Sequence, residues 1–190
     1  MKINIEVNND VILKFPFENF MNRMIAIVPA TDIVGLDKIV IKNEVSKEYQ
    51  KQNDIVEAFY YQDNEKKKNH IEVFIKNILN RSIPEYAFNI YPEIGGLLLS
   101  EIIYHEIGHH VHFNRRHGVK KKKYEKFAKK YSTAGYYLYF KTRAPKILSN
   151  YKWASWNFFL FNKKERQLFK QAKDELITWV SKTQNDIVFP

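Results

Sequence analysis

Between Glu93 and Pro145 the chain contains no proline, and within that stretch residues 97–113 read LLLSEIIYHEIGHHVHF. Leu98, Leu99, Ile102, Ile103, Ile107 and Val111 recur at mixed spacings of three and four, the pattern of a helix that must be covered by other elements. A glycine in a helix interior costs about 1 kcal/mol relative to alanine. Gly108 therefore predicts a packing reason, such as the close approach of a neighbouring strand or helix.

An α-helix advances about 100° per residue, so side chains four apart project from one face. His105 and His109 are so spaced and can converge on one ion, while Glu106, next to the first of them, can take a proton from water held there. A catalytic zinc usually has three protein ligands and one open position. A metzincin would supply glycine at 112 and histidine at 115, where this chain has His112 and Arg115. Residues 114–118 break the first helix, and YEKFAKKYSTAGYYLYF from Tyr124 onward is apolar enough for a second helix packed beside it. Glu125 is the only acidic residue between Glu106 and Glu165, which makes it the expected third ligand. Glu101 shares the His105 face but lies two turns from His109, and is expected to orient a nearby group. His110 and His112 are expected on the helix surface or behind the ligands, and His70 in a turn.

HEIGH followed by EKFAKKYS resembles the HExGH and ExxAxx(F/Y)(A/S) pair of ImmA/IrrE-type and related gluzincin peptidases, a match covering residues 97–131. The resemblance implies a zincin fold, one zinc held by two histidines and a glutamate, and hydrolysis of a peptide bond. By motif position Glu125 matches the glutamate ligand. The expected reaction uses Glu106 as general base toward a polarised peptide carbonyl. Candidate stabilisers of the developing oxyanion are Tyr136, Tyr137, Tyr139, Arg143 and His117.

The upstream chain predicts a small sheet. Ile3, Ile5 and Val7 alternate with polar residues, Asn8 to Asp10 offer a turn, and Val11, Leu13 and Phe15 alternate again, as in a hairpin. Residues 17–28 read as a helix closed by Pro29. Residues 37–45, 55–61 and 71–78 read as strands, the last two joined by the polar run QDNEKKKNH. The expected fold is α+β: one zincin-like domain over residues 1–190, with a small mixed sheet and helices in 1–93, then the HExxH helix and a helical part in 94–190. Ile71, Glu72, Val73, Phe74, Ile75 and Lys76 are the candidate edge strand for an extended substrate.

A chain of 190 residues, 45% hydrophobic, can bury one proper core. Zero cysteines exclude disulfides, thiolate ligands and a cysteine nucleophile. No stretch approaches the length of a membrane span and the opening MKINIEVNNDVILKF lacks a signal-type apolar core, so a cytoplasmic location is expected. The net charge of +10 is concentrated in residues 115–130, where several lysines fall at a helix start, against the macrodipole. That segment favours acidic peptide or protein substrates. It also leaves open a nucleic-acid-associated protein, and a closed zinc site a non-catalytic regulatory one. The aromatic residues 151–161, with the stripe Leu168, Ala172, Leu176, Trp179 and Val180 of a last helix, are expected to pack in the core.

Overall fold

In the computed structural model, which describes residues 3–11, 13–45, 56–62, 69–81, 88–89, 92–115, 121–156 and 187–190, the chain is α+β. Strands β1 (Asn4–Val7), β2 (Leu36–Lys42), β3 (Ala58–Tyr61) and β4 (Asn69–Phe74) form one mixed sheet in the order β1-β2-β4-β3. β1, β2 and β4 run parallel, and β3 is antiparallel to β4. Helix α1 (Phe17–Ile25) and a 3-10 turn (Ala30–Ile33) connect β1 to β2. Helix α2 (Ile75–Arg81) follows β4 directly, and two long helices come next among the described residues: α3 (Pro92–Arg115) and α4 (Lys121–Trp156). No helix among the described residues is long and apolar enough to cross a membrane.

Register separates the two sheet faces. Ile39, Ile41, Ile71, Val73, Ala58 and Tyr60 share one face and are buried with Met21 and Met24 of α1 and with Leu99, Ile103, Ile107 and Val111 of α3. The opposite face carries ion pairs, Lys38 to Glu6 at 2.8 Å and Lys42 to Glu72. The apolar residues at two spacings on α3 are thus used on both flanks, toward the sheet and toward α4.

Four expectations are corrected. Residues 3–15 do not form a hairpin: β1 pairs with β2, the Asn8 N–H donates to the Ile41 carbonyl, and Leu13 and Phe15 are buried in a non-strand segment. Alternation there marked burial, with Phe15 packed on Phe17, Phe20 and Phe88. The predicted strand 71–78 ends at Phe74, and Ile75 and Lys76 open α2. The segment 71–76 is not a sheet edge, because β4 is paired on both sides; the edge beside α3 is β3. His70 lies in β4 rather than a turn, stacked on Tyr61 with ring centroids 4.9 Å apart. The second helix runs on through Pro145 to Trp156, and the stripe predicted from Leu168 to Val180 lies outside the described residues.

Contacts between α3 and α4 pair His105 and His109 with Glu125, Gly108 with Ala128, Glu101 with Ser132 and Tyr104 with Gly135, so the helices are antiparallel. The predicted close approach at Gly108 is to a helix. A Cβ at Gly108 would stand 2.8 Å from the Ala128 Cα and 2.9 Å from the Tyr131 Cβ, and one at Gly135 would meet the Tyr104 ring at 2.4 Å. Gly108→Ala is therefore expected to lower stability by about 1–3 kcal/mol in urea unfolding, despite alanine's better helix propensity. Thr133→Ala, on the exposed side of α4, is expected to change it by no more than about 0.5 kcal/mol.

Candidate metal centre

His105, Glu106 and His109 sit in the middle of α3, where the i and i+4 rings meet edge to face with centroids 4.6 Å apart. One ligand atom from each lies within 4.8 Å of the others, so the three form a group that could hold a metal ion. α4 brings Glu125 to the same place: its carboxylate oxygens lie 3.5 Å from His105 Nε2 and 3.7 Å from His109 Nε2. Two carboxylates therefore border the histidine pair. Glu106 is buried, whereas Glu125 is half exposed and facing both Nε2 atoms.

Tyr124, one residue before Glu125, stacks on the His109 ring at 4.2 Å and leans on His112 at 5.3 Å. From behind, His112 is buried against Phe127, and His110 is fully buried; neither is a surface residue. His110 Nδ1 lies 3.1 Å from the Tyr60 hydroxyl, and Nε2 lies 3.0 Å from the Val34 carbonyl, which also accepts from Asn114. His109 Nδ1 is buried with no hydrogen-bond partner among the described residues, so Nε2 is the nitrogen through which that ring engages a neighbour.

Burial dominates the electrostatics. It raises the Glu106 carboxyl to about 8, helped by the charge of Glu125 and opposed by a hydrogen bond from the Tyr60 backbone N–H. It lowers His109 to about 3, with His105 and His112 adding to the effect. His105 is also lowered by burial, against the opposing charges of Glu125 and Glu101. Both imidazoles are thus held neutral, the form that offers a lone pair to a cation.

A cleft of about 560 Å³ opens beside the motif, lined by Glu57 and Ala58 at the β3 edge, by Leu98, Glu101, Ile102, His105 and Glu106 of α3, and by Lys129 and Ser132 of α4. The structure does not bring the candidate oxyanion donors here. Tyr136 and Tyr137 follow Glu125 by 11 and 12 residues, roughly 16–18 Å along α4. Tyr139 is buried deeper along the helix, Arg143 is bound to Glu93, and His117 lies outside the described residues. Sequence reasoning missed Tyr60, Glu57 and Tyr124. Only Tyr124 had a signal: it precedes Ala128 by four residues and so shares the α4 face that meets Gly108.

In metal-free protein these burials set a pH dependence. Glu106 moves up from 4.5, so its contribution is present below that pH and is lost as pH rises toward about 8. His109 moves down from 6.5, so its contribution is present above that pH and is lost as pH falls toward about 3. Between 4.5 and 6.5 the two slopes oppose each other. After chelation, the urea midpoint is expected to fall between pH 6.5 and 8 in the unsubstituted chain, and to stay nearly level there in Glu106→Gln. An equal fall in both would contradict the assignment of that slope to Glu106.

No protein-family model, curated protein or solved structure matches the chain.

Proposed function

We propose that the chain is a zinc-dependent peptidase of the gluzincin type, with His105, His109 and Glu125 as zinc ligands and Glu106 as general base. The observation that carries this reading is the position of Glu125: a carboxylate from a separate helix, 16 residues beyond His109, lies within 3.7 Å of both Nε2 atoms. Two neutral imidazoles and one carboxylate are a donor set that suits zinc, and one ion per chain follows from one such set. Glu125 is preferred over Glu106 as the third ligand because its oxygens face both Nε2 atoms, while Glu106 is held back by the Tyr60 N–H and borders the cleft.

Zinc so held supplies Lewis-acid polarisation of a carbonyl and a nucleophilic water near neutral pH. The remaining work belongs to the protein. Glu106 accepts the proton of the attacking water and returns it to the leaving amine. The β3 edge, ending on the cleft at Ala58, offers backbone groups to an extended peptide. A sheet edge bordering a cleft above a motif helix also supports a zincin-like fold. The cleft wall sets the carboxylates of Glu57 and Glu101 against Lys129, so it favours a neutral or basic substrate residue despite the basic chain as a whole. Of the basic segment, Arg115 is committed to the buried carboxylate of Asp32.

Elemental analysis of protein purified without added metal is expected to give about one zinc per chain, and markedly less in Glu125→Ala. Glu106→Gln is expected to keep the metal and lose at least about a hundredfold in peptide cleavage. Zinc content unaffected by Glu125→Ala would remove Glu125 as a ligand. Full zinc with no cleavage of a broad peptide library would replace the peptidase by a non-catalytic zinc protein.

A further inference from the structure

One wall of the cleft is a single stripe of α3. Leu98, Glu101, Ile102 and His105 stand at i, i+3, i+4 and i+7, so all four face the same space, with Glu101 one turn and roughly 6 Å along the helix from His105. Leu98 and Ile102 are half-buried against the core and give that wall an apolar surface. Glu101 is exposed, and its backbone carbonyl accepts from the Ser132 hydroxyl at 2.7 Å. Its carboxylate has neither a hydrogen bond nor an ion pair among the described residues, Lys129 of the same cleft included.

The hydrogen-bond pattern of β3 decides which side chain of an extended peptide meets this stripe. The Phe74 N–H donates to the Glu57 carbonyl at 2.9 Å, which makes Glu57 and Phe74 a bonded pair of the antiparallel β3–β4 ladder. Bonded and non-bonded pairs alternate, so Ala58 turns its own N–H and C=O away from β4, to the sheet edge on the cleft. Tyr60 is next in that alternation, and its N–H is already held by Glu106. Ala58 is thus the position at which an extended peptide can form two backbone hydrogen bonds. Residues directly opposite each other in a ladder carry their side chains on one face. The Ala58 side chain is buried on the face that packs against α3. The peptide residue paired with Ala58 therefore projects toward α3, and its two neighbours project away.

We infer that this projecting residue is a lysine or arginine, its alkyl stem lying along Leu98 and Ile102 and its cationic head on the Glu101 carboxylate. The inference rests on the peptidase reading and names its substrate class: peptides with a basic residue flanking the scissile bond. A long basic side chain matches a wall that is apolar and then anionic. A neutral side chain would strip water from the Glu101 carboxylate and give nothing back, and an acidic one would be repelled.

The test is cleavage of a peptide library by the zinc-loaded full chain, then of paired peptides carrying lysine or norleucine, which has the same alkyl stem without the charge, at the preferred position. Lysine or arginine is expected at one position beside the scissile bond, with kcat/KM about tenfold above norleucine. Glu101→Gln should bring that ratio close to one. Glu101→Lys should turn the preference to glutamate, a reversal that a merely structural role of Glu101 would not produce. Each ratio is read at full zinc occupancy. Cleavage without a basic preference, or a lysine preference that survives Glu101→Gln, overturns the inference and leaves the peptidase reading standing. No cleavage of any peptide by the zinc-loaded chain overturns both.

Discussion

The approach of α4 to α3 at Gly108 is the contact on which the candidate metal centre depends. A helix pair separated by ordinary side chains keeps its axes 8–10 Å apart. Here α3 offers a bare Cα, and the Ala128 backbone moves in against it. Ala128 is three residues beyond Glu125, and Gly108 is one before His109, so the separation at that point sets how far the Glu125 carboxylate stands from the imidazoles. The same economy of volume recurs at Gly135, which accommodates the Tyr104 ring, while Tyr104 itself donates to the Met24 carbonyl and ties α1 to the pair. Between these points Ser132 donates to the Glu101 carbonyl.

A second set of contacts fixes the helices to the sheet-bearing part. Asp32, in the 3-10 turn, is almost wholly buried and accepts from the Tyr131 hydroxyl of α4 at 2.9 Å and from Arg115 at the end of α3. One carboxylate thereby joins three elements. An unpaired charge at that depth would be strongly unfavourable, so the arrangement holds only when both donors are in place. Through it the turn before β2, the end of α3 and the Tyr131 turn of α4 share one position.

What could be read in the sequence followed from local geometry. The i, i+4 relation of His105 and His109 needs only the helix repeat, and the helix itself was evident from its apolar spacing. Glu125 emerged because no other carboxylate was near in the sequence, and Gly108 because glycine is disfavoured mid-helix. The misreadings have two sources, tertiary context and ambiguity within short segments. Leu13 and Phe15 alternate as strand residues do, yet strand partners are chosen by tertiary context, and β1 had a better one in β2. Residues 71–78 contain no break that separates β4 from α2, since Ile75 and Ile78 suit either state. That β4 is interior and β3 marginal follows from a strand order in which sequence neighbours do not simply add at the edge. Tyr136, Tyr137, Tyr139 and Arg143 are near Glu125 in the chain but are carried away by the rise of α4.

His110 bears on how protons are distributed behind the centre. Its burial keeps the ring neutral, so it carries a single hydrogen, and the Val34 carbonyl can only accept one. Asn114 Nδ2 lies 3.0 Å from Nε2 and also donates to the Val34 carbonyl, so either ring nitrogen can carry that hydrogen, and in both cases the Tyr60 hydroxyl completes the pairing at Nδ1. Tyr60 thus engages α3 twice, through its hydroxyl at His110 and through its backbone N–H at Glu106. The edge strand is in this way clasped to the motif helix at two positions one turn apart, Glu106 and His110, which ties the β3 wall of the cleft to the buried carboxyl.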